Sequence, residues 1–149
     1  TAPSPPERSG GLPTYPLVEL CYSGKYTHEE MVAKLSSVGG MYDYLGTKDA
    51  QEVERRMLEG DEKAKLVYEA FVYAVAKEIC SYAAAFEGKV DRIVLTGGIA
   101  HSDYVVREVG RMTAFLAPME VVAGEFEMEA LALGALRVLR GEETAKVYR

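Results

Sequence analysis

The sequence has only two cysteines and no long apolar run, and both features limit the class of protein to which it can belong. Cys21 and Cys80 lie far apart and form no C-x-x-C pair, so we expect buried free thiols, with neither a disulfide nor a zinc site. No apolar stretch is long enough to cross a bilayer, and the proline-rich start lacks the hydrophobic region of a secretory signal. These features predict a cytoplasmic protein that does not bind membranes.

Basic residues are outnumbered by acidic ones, 17 against 23, which gives a net charge of −6. Non-specific binding of nucleic acid depends on excess positive charge, so this balance argues against a nucleic-acid partner. The 149 residues fit one domain that can bury a core.

Capping signals and apolar spacing predict the helices of the first part of the chain. Capping boxes at Thr27-x-x-Glu30 and Asp49-x-x-Glu52 each predict the start of a short helix. The aromatic-rich segment 41–47 between them is expected to be an irregular loop. Apolar residues then recur at three- and four-residue spacing, which predicts the longest helix over 61–86.

The second part of the chain alternates, with strands near 91–96 and 118–122 and helices near 102–116 and 127–140. Two strands joined through a helix should be parallel neighbours, and we expect the long helix to pack on them. The last helix is apolar on most faces, so we expect it to be buried against the sheet. Two strands are few for an independent domain, so we expect this chain to be the carboxy-terminal part of a larger protein. The start is rich in proline and has no initiator methionine, which is typical of a chain cut at a linker, and a genuine linker tail is the alternative.

The stretch from Val90 to Ser102 is the most informative, and it reads V-D-R-I-V-L-T-G-G-I-A-H-S. A β-branched run meets Gly97-Gly98, and Ser102 then caps a helix. This arrangement brings bare backbone to the carboxyl edge of a sheet, where open α/β folds bind nucleotides. Gly97, Gly98, Ile99 and Ser102 are therefore candidate nucleotide-binding residues. A tight turn without a ligand is the alternative explanation of the same pattern.

Arg8 lies in a glycine-rich loop with Ser9, Gly10 and Gly11. A guanidinium suits forked contacts to phosphate, and positive charge near a transferring phosphoryl group stabilises the transition state. From the local sequence alone, a solvated surface arginine is the commoner case.

Carboxylates also begin the last helix, where the helix dipole favours them without any ligand. The functional alternative is that Glu127 helps to position Mg²⁺, usually through water.

These stretches together resemble the butyrate kinases, a branch of the acetate/butyrate kinase (acetokinase) family. Residues 4–13 are similar to the family pattern S-P-E-R-S-G-G-L-P with one inserted or substituted proline, and residues 90–102 resemble its adenosine motif. Further similar stretches are 17–27, 44–47, 60–70 and 134–141. The resemblance implies the α/β carboxy-terminal part of an actin-like ATPase (ribonuclease H-like) fold, with a parallel strand pair and packed helices.

The resemblance also implies an activity and roles for individual residues. The parent enzyme would reversibly transfer a phosphoryl group between ATP and butyrate, giving butyryl phosphate and ADP, with Mg²⁺. Arg8 would be catalytic, and Glu127 would serve the metal, with Glu125 in reserve. Gly46, Thr47 and Lys48 would bind the nucleotide, although they replace an Asp-Phe-Arg segment of the acetate kinases, so side-chain contacts do not carry over. Lys48 is about as well explained as a solvated lysine at a helix start.

The implied organisation is a linker and active-site loop at 1–16 followed by a nucleotide-binding domain at 17–149. The phosphate loops and acyl pocket of the family's amino-terminal half are not in this sequence, so we expect the chain alone to be inactive. The expected partners are that missing domain, a nucleotide, a short-chain fatty acid or acyl phosphate, and a second copy of the protein. One alternative is a nucleotide-binding or assembly module without catalysis, and another is a helical interaction protein with an incidental glycine pair.

Overall fold

The computed structural model describes residues 6–124 and 127–145, except for the side chain of Glu127. Seven α-helices and two strands make up this part of the chain, with a 3₁₀ turn after α5 and another after β1. The helices are α1 (Thr14–Tyr22), α2 (His28–Ser36), α3 (Gly40–Leu45), α4 (Ala50–Leu58), α5 (Glu62–Tyr82), α6 (Asp103–Thr113) and α7 (Glu127–Leu139). The strands are β1 (Ile93–Gly97) and β2 (Met119–Ala123), and the 3₁₀ turns are Ala83–Phe86 and Gly98–His101.

The two strands pair in parallel, with Ile93 opposite Met119 and Gly97 opposite Ala123. Helix α6 makes the crossover between them, which confirms the predicted strand–helix–strand unit. Both carboxyl ends therefore lie at one edge of the sheet, where β1 runs into the Gly97-Gly98 turn.

The core is built around α5. Its buried side chains Ala64, Tyr68, Val72 and Ala76 recur every fourth residue and therefore lie on one face of the helix. That face packs mainly against α4 and α6, and the same apolar cluster includes Leu95 of β1. The long helix and the sheet thus share one core, as expected, although helices are its closest neighbours.

Side-chain caps hold the helix starts where the sequence predicts them. Thr27 and Glu30 form a complete capping box at α2. Asp49 accepts hydrogen bonds from the Gln51 and Glu52 amides at the start of α4, but the Glu52 carboxylate bonds Thr47 instead of closing the box.

Segment 41–47 differs from its prediction, because most of it forms α3 and not an irregular loop. Met41 is buried in the core cluster, and Leu45 packs against that cluster. Gly46, with φ +71°, adopts the left-handed backbone conformation that ends the helix. Helix α1 was also not predicted from the sequence, and none of its residues is buried.

The prediction that the last helix is buried is wrong for the described chain. Its apolar side chains are exposed, Leu131 by 69% and Leu136 by 39%. The reason is geometric: the sheet has two strands, and even their own valines Val94, Val121 and Val122 are exposed.

The thiol prediction is half wrong. Both cysteines are free, but Cys21 is exposed on α1, which packs no side chain into the core, and Cys80 is only partly buried. Within the described residues, no helix combines the length and apolarity that a bilayer crossing needs.

Replacing Val109 by Ala tests the packing of α6. Val109 is fully buried, and losing two methyl-sized groups from a close-packed core should lower the free energy of unfolding by about 2 kcal/mol. Val32→Ala is the matched control, because Val32 also lies in a helix but is 48% exposed, and we expect a change below about 0.5 kcal/mol. Chemical denaturation followed by circular dichroism measures both, and equal effects would contradict this description of the core.

Candidate functional site

A cleft of about 1130 Å³ opens between α5 and β1, at the edge where the Gly97-Gly98 turn lies. One wall is apolar and comes from α5 and β1, with Phe71, Val75, Ile79, Val94 and Leu95. The other is more polar and comes from α4, the two residues before it and the segment after β1. A cleft of this size with an apolar wall and a few polar groups is typical of a small-molecule site.

The two glycines at the end of β1 have different roles: Gly97 ends the sheet pairing, and Gly98 lines the cleft. Gly97 has φ +82°, and its amide and carbonyl both bond the backbone of Gly124, so it ends the sheet pairing. Gly98 and Ile99 line the cleft, and a Cβ added to Gly98 would meet no atom within 4 Å. The bare backbone of Gly98 therefore faces open space, as the motif predicts.

Ser102 has two roles at the same edge. Its Oγ accepts a hydrogen bond from the Val105 amide at 3.1 Å and thereby caps α6, as predicted. The same hydroxyl donates to Glu54 Oε2 at 2.6 Å, and both residues line the cleft. The cap of α6 is thus also part of the cleft wall.

Glu54 is a cleft residue that was not identified from the sequence. Besides Ser102, the hydroxyl of Tyr68 donates to its Oε2 at 2.9 Å. Glu54, Tyr68 and Ser102 come from α4, α5 and the start of α6. Tyr68 and Ser102 are 14 and 48 positions from Glu54 along the chain. No local motif signals such a group, since Glu54 by itself is an ordinary helical glutamate.

The segment Gly46-Thr47-Lys48 borders the cleft, but only Lys48 lines it. Gly46 ends α3, and the Thr47 hydroxyl donates to Glu52 Oε2 at 2.9 Å. The ammonium group of Lys48 lies 5.4 Å from the centre of the Tyr42 ring, a cation–π contact that keeps this charge beside the cleft.

Arg8 is exposed and does not line the cleft, whereas Pro6, two residues earlier, does. Within residues 6–124 and 127–145, its guanidinium has no salt bridge or hydrogen bond. The structure therefore places the loop of Arg8 next to the cleft and leaves its side chain unpaired by the described residues.

The two candidate metal residues lie around the start of the last helix in the sequence. Glu125 lies outside the described residues, and Glu127 begins α7 but its side chain is not described. Elsewhere in the described chain, no three His, Cys, Asp or Glu side chains come together as a metal site.

Comparison with known proteins gives one family model that matches residues 8–131, described as the acetokinase family. Among curated proteins, "Probable butyrate kinase 2" of Caldanaerobacter subterraneus subsp. tengcongensis is 53% identical over 146 residues. "Butyrate kinase 1" of Clostridium acetobutylicum is 50% identical over 147 residues. These alignments cover 98% and 99% of this chain but 41% of each relative, so the chain spans about two fifths of their length.

Two solved structures share the fold. The acetate kinase of Porphyromonas gingivalis aligns with a TM-score of 0.78 at 22% identity, over 89% of this chain and 40% of its own. A propionate kinase from Francisella tularensis subsp. tularensis SCHU S4 aligns with a TM-score of 0.71 at 24% identity, over 82% of this chain and 37% of its own. Both likenesses confirm the predicted α/β fold, which this chain shares with part of each of these two kinases.

The buried phenol of Tyr68 gives the site a measurable pH dependence. Burial raises the pKa of Tyr68 above its ordinary value of 10.0, because the fold favours the neutral form. This stabilisation is fully present below about pH 10 and is lost as the pH rises further, since the unfolded chain then gives up a proton that the native protein keeps. The free energy of unfolding should therefore fall more steeply above pH 10 in the unmodified protein than in Tyr68→Phe. The difference in slope corresponds to the release of at most one proton on unfolding.

Urea denaturation between pH 8 and pH 11 measures this difference. Tyr73→Phe removes an exposed phenol from the same helix and serves as the control. Parallel curves for Tyr68→Phe and the unmodified protein would contradict the burial of this hydroxyl.

Proposed function

Because this chain belongs to the acetokinase family, we propose that it is the nucleotide-binding, carboxy-terminal domain of a butyrate kinase. The complete enzyme would transfer a phosphoryl group reversibly between ATP and butyrate, giving butyryl phosphate and ADP. The observation that carries the proposal is the open backbone of Gly98 in a cleft of about 1130 Å³, in a chain half identical to butyrate kinases.

The nucleotide would lie with its adenine and ribose over Gly98 and Ile99. An apolar wall suits the base, and Ser102, Glu54 and Lys48 supply polar groups around it. Gly97 and Gly46 through their backbone, and Thr47 through its hydroxyl bond to Glu52, would act indirectly by shaping the two segments that border the cleft. The amino end of α6, which begins directly after Ser102, adds a positive dipole at this edge.

Magnesium would be held mainly by nucleotide phosphates and water, with one carboxylate from this chain. Mg²⁺ commonly retains several waters and takes one or two protein carboxylates, so a three-residue cage is not needed. Glu127, at the start of α7, is the proposed ligand, with Glu125 as the alternative. The bound ion would neutralise phosphate charge.

Arg8 would contact the transferring phosphoryl group. Its unpaired guanidinium, on a loop that reaches the cleft at Pro6, supports this role. Phosphoryl transfer depends on positioning and on charge stabilisation more than on covalent chemistry, so no general base is required from this residue. Residues 1–16 would then be the linker and active-site loop, and 17–149 the nucleotide-binding domain.

The proposal includes partners that lie outside this chain. An amino-terminal domain would supply the acyl pocket and close the cleft over the substrates, so this chain alone would be inactive. The enzyme would be cytoplasmic and would associate with a second copy of itself.

Gly98→Val should weaken ATP binding by about tenfold or more, since its side chain would fill the space where the nucleoside lies. The fold should tolerate the change, because a Cβ at this position meets no neighbour. Gly98→Ala, with a smaller side chain, should have an intermediate effect. Calorimetric titration with ATP measures the affinities, and thermal melting confirms that each variant is folded. Unchanged affinity in folded Gly98→Val would remove the nucleotide from this position.

Arg8→Ala in the complete enzyme should lower kcat by at least about a hundredfold and change the KM for ATP little. A guanidinium directed at the phosphoryl group gains most when charge spreads over its oxygens in the transition state. Arg8→Lys should restore little activity, because lysine keeps the charge without the forked geometry.

A coupled assay of butyryl phosphate formation gives both constants. An effect on KM alone would make Arg8 a binding residue. ATP binding by the unmodified enzyme without any acyl phosphate synthesis would favour the non-catalytic nucleotide-binding module.

A further inference from the structure

The loop that carries Arg8 is fastened to the rest of the fold through its backbone. The amide of Gly39 donates to the carbonyl of Glu7 at 2.8 Å, and the amide of Tyr42 donates to that of Pro6 at 3.4 Å. On the other side of Arg8, the amide of Ser9 donates to the carbonyl of Leu35 at 3.3 Å. The end of α2 and the start of α3 therefore bond the loop both before and after Arg8.

Two glycines make this close approach possible. Gly40 has φ +58°, and a Cβ there would lie 2.7 Å from the carbonyl oxygen of Pro6 and nearer still to that of Arg8. A Cβ on Gly39 would overlap the Lys34 carbonyl and lie 3.1 Å from the Ser9 nitrogen. The obstructing atoms are backbone atoms, which cannot rotate away as a side chain can. Any side chain at Gly40 would therefore displace the segment that holds Arg8.

The left-handed backbone alone does not explain Gly40. Gly24 has a similar φ of +72°, yet a Cβ added there would meet nothing within 4 Å. A glycine at position 24 is thus required only by its dihedral angle, whereas Gly40 is required both by its dihedral angle and by the contact with the loop. A comparison of variants at Gly24 and Gly40 therefore separates the effect of backbone strain from the effect of the contact with the loop.

We propose that Gly39 and Gly40 are positioning residues that fix the backbone of the Arg8 loop, so that the arginine can meet the phosphoryl group. The inference rests on the proposed function of Arg8. Because no described residue pairs with the guanidinium, the backbone contacts set the point from which this side chain reaches. A displacement of about 1 Å in a catalytic group can lower a rate about a hundredfold. The glycine pair would then control turnover without touching a substrate.

The test compares Gly40→Ala with Gly24→Ala in the complete enzyme. Both variants place alanine at a positive φ and share that strain, but only Gly40→Ala collides with the loop. We expect Gly40→Ala to lower kcat by about tenfold to a hundredfold while the Kd for ATP changes less than about twofold. Gly24→Ala should leave both constants close to those of the unmodified enzyme.

Hydrogen exchange measured by mass spectrometry gives a readout that a general loss of stability would not produce. Peptides covering residues 6–12 should exchange faster in Gly40→Ala than in Gly24→Ala, with the rest of the domain alike. Unchanged kcat in Gly40→Ala, or a loss of kcat without faster exchange in this segment, would overturn the proposal.

Two further outcomes keep the inferences apart. If Arg8→Ala retains full activity, the function proposed for Arg8 fails. If Arg8→Ala is inactive and Gly40→Ala is fully active, only the positioning role fails.

The unmodified enzyme supplies a measurement that does not require Gly40→Ala to fold. Its Gly39 and Ser9 amides should exchange at least about tenfold more slowly than those of Gly10 and Gly11, for which no backbone bond is found in the described chain. Equal rates would overturn the proposal.

Discussion

The burial of Tyr68 is the constraint on which the rest of the structure depends. Its ring is fully buried and stacks against Tyr104 of α6, with ring centres 5.6 Å apart. A buried phenol needs a hydrogen-bond partner, and Glu54 of α4 supplies it. Glu54 also accepts a hydrogen bond from the Ser102 hydroxyl that caps α6, so one carboxylate connects three helices. Glu54, Tyr68 and Ser102 all line the cleft, so the site and the core share these contacts.

The arrangement separates the two proposed tasks of the domain. The cleft proposed for the nucleoside is lined mainly by secondary-structure elements, namely α4, α5, β1 and the start of α6. Arg8 is instead carried by a loop whose side chains are mostly exposed, and it is held through main-chain bonds to α2 and α3. A loop fastened by backbone contacts can present an exposed arginine in one place without burying it. This division suits phosphoryl transfer, in which the geometry of charged groups contributes most of the catalysis.

The exposed apolar surfaces agree with a domain that works as part of a longer enzyme. The two-stranded sheet exposes Val94, Val121 and Val122, and α7 exposes leucines along its length. Apolar surface exposed in this way favours contact with another domain or chain, and the butyrate kinases that resemble this chain are more than twice as long. In the proposed enzyme, these surfaces are where the amino-terminal domain or a second copy would contact this one.

Local signals in the sequence were sufficient for the features that depend on neighbouring residues. Thr27, Asp49 and Ser102 cap helices where their side chains reach nearby amides, and the strand–helix–strand order led to the parallel pair. The open backbone at Gly98 also follows from a local motif. Tertiary structure alone decided the rest, because these features depend on residues far apart in the chain. The core contact of Met41 makes α3 a helix, the narrow sheet leaves α7 exposed, and Glu54 enters the cleft through partners up to 48 residues away. Likewise, Gly39 and Gly40 contact the Arg8 loop only because the fold brings that loop against them.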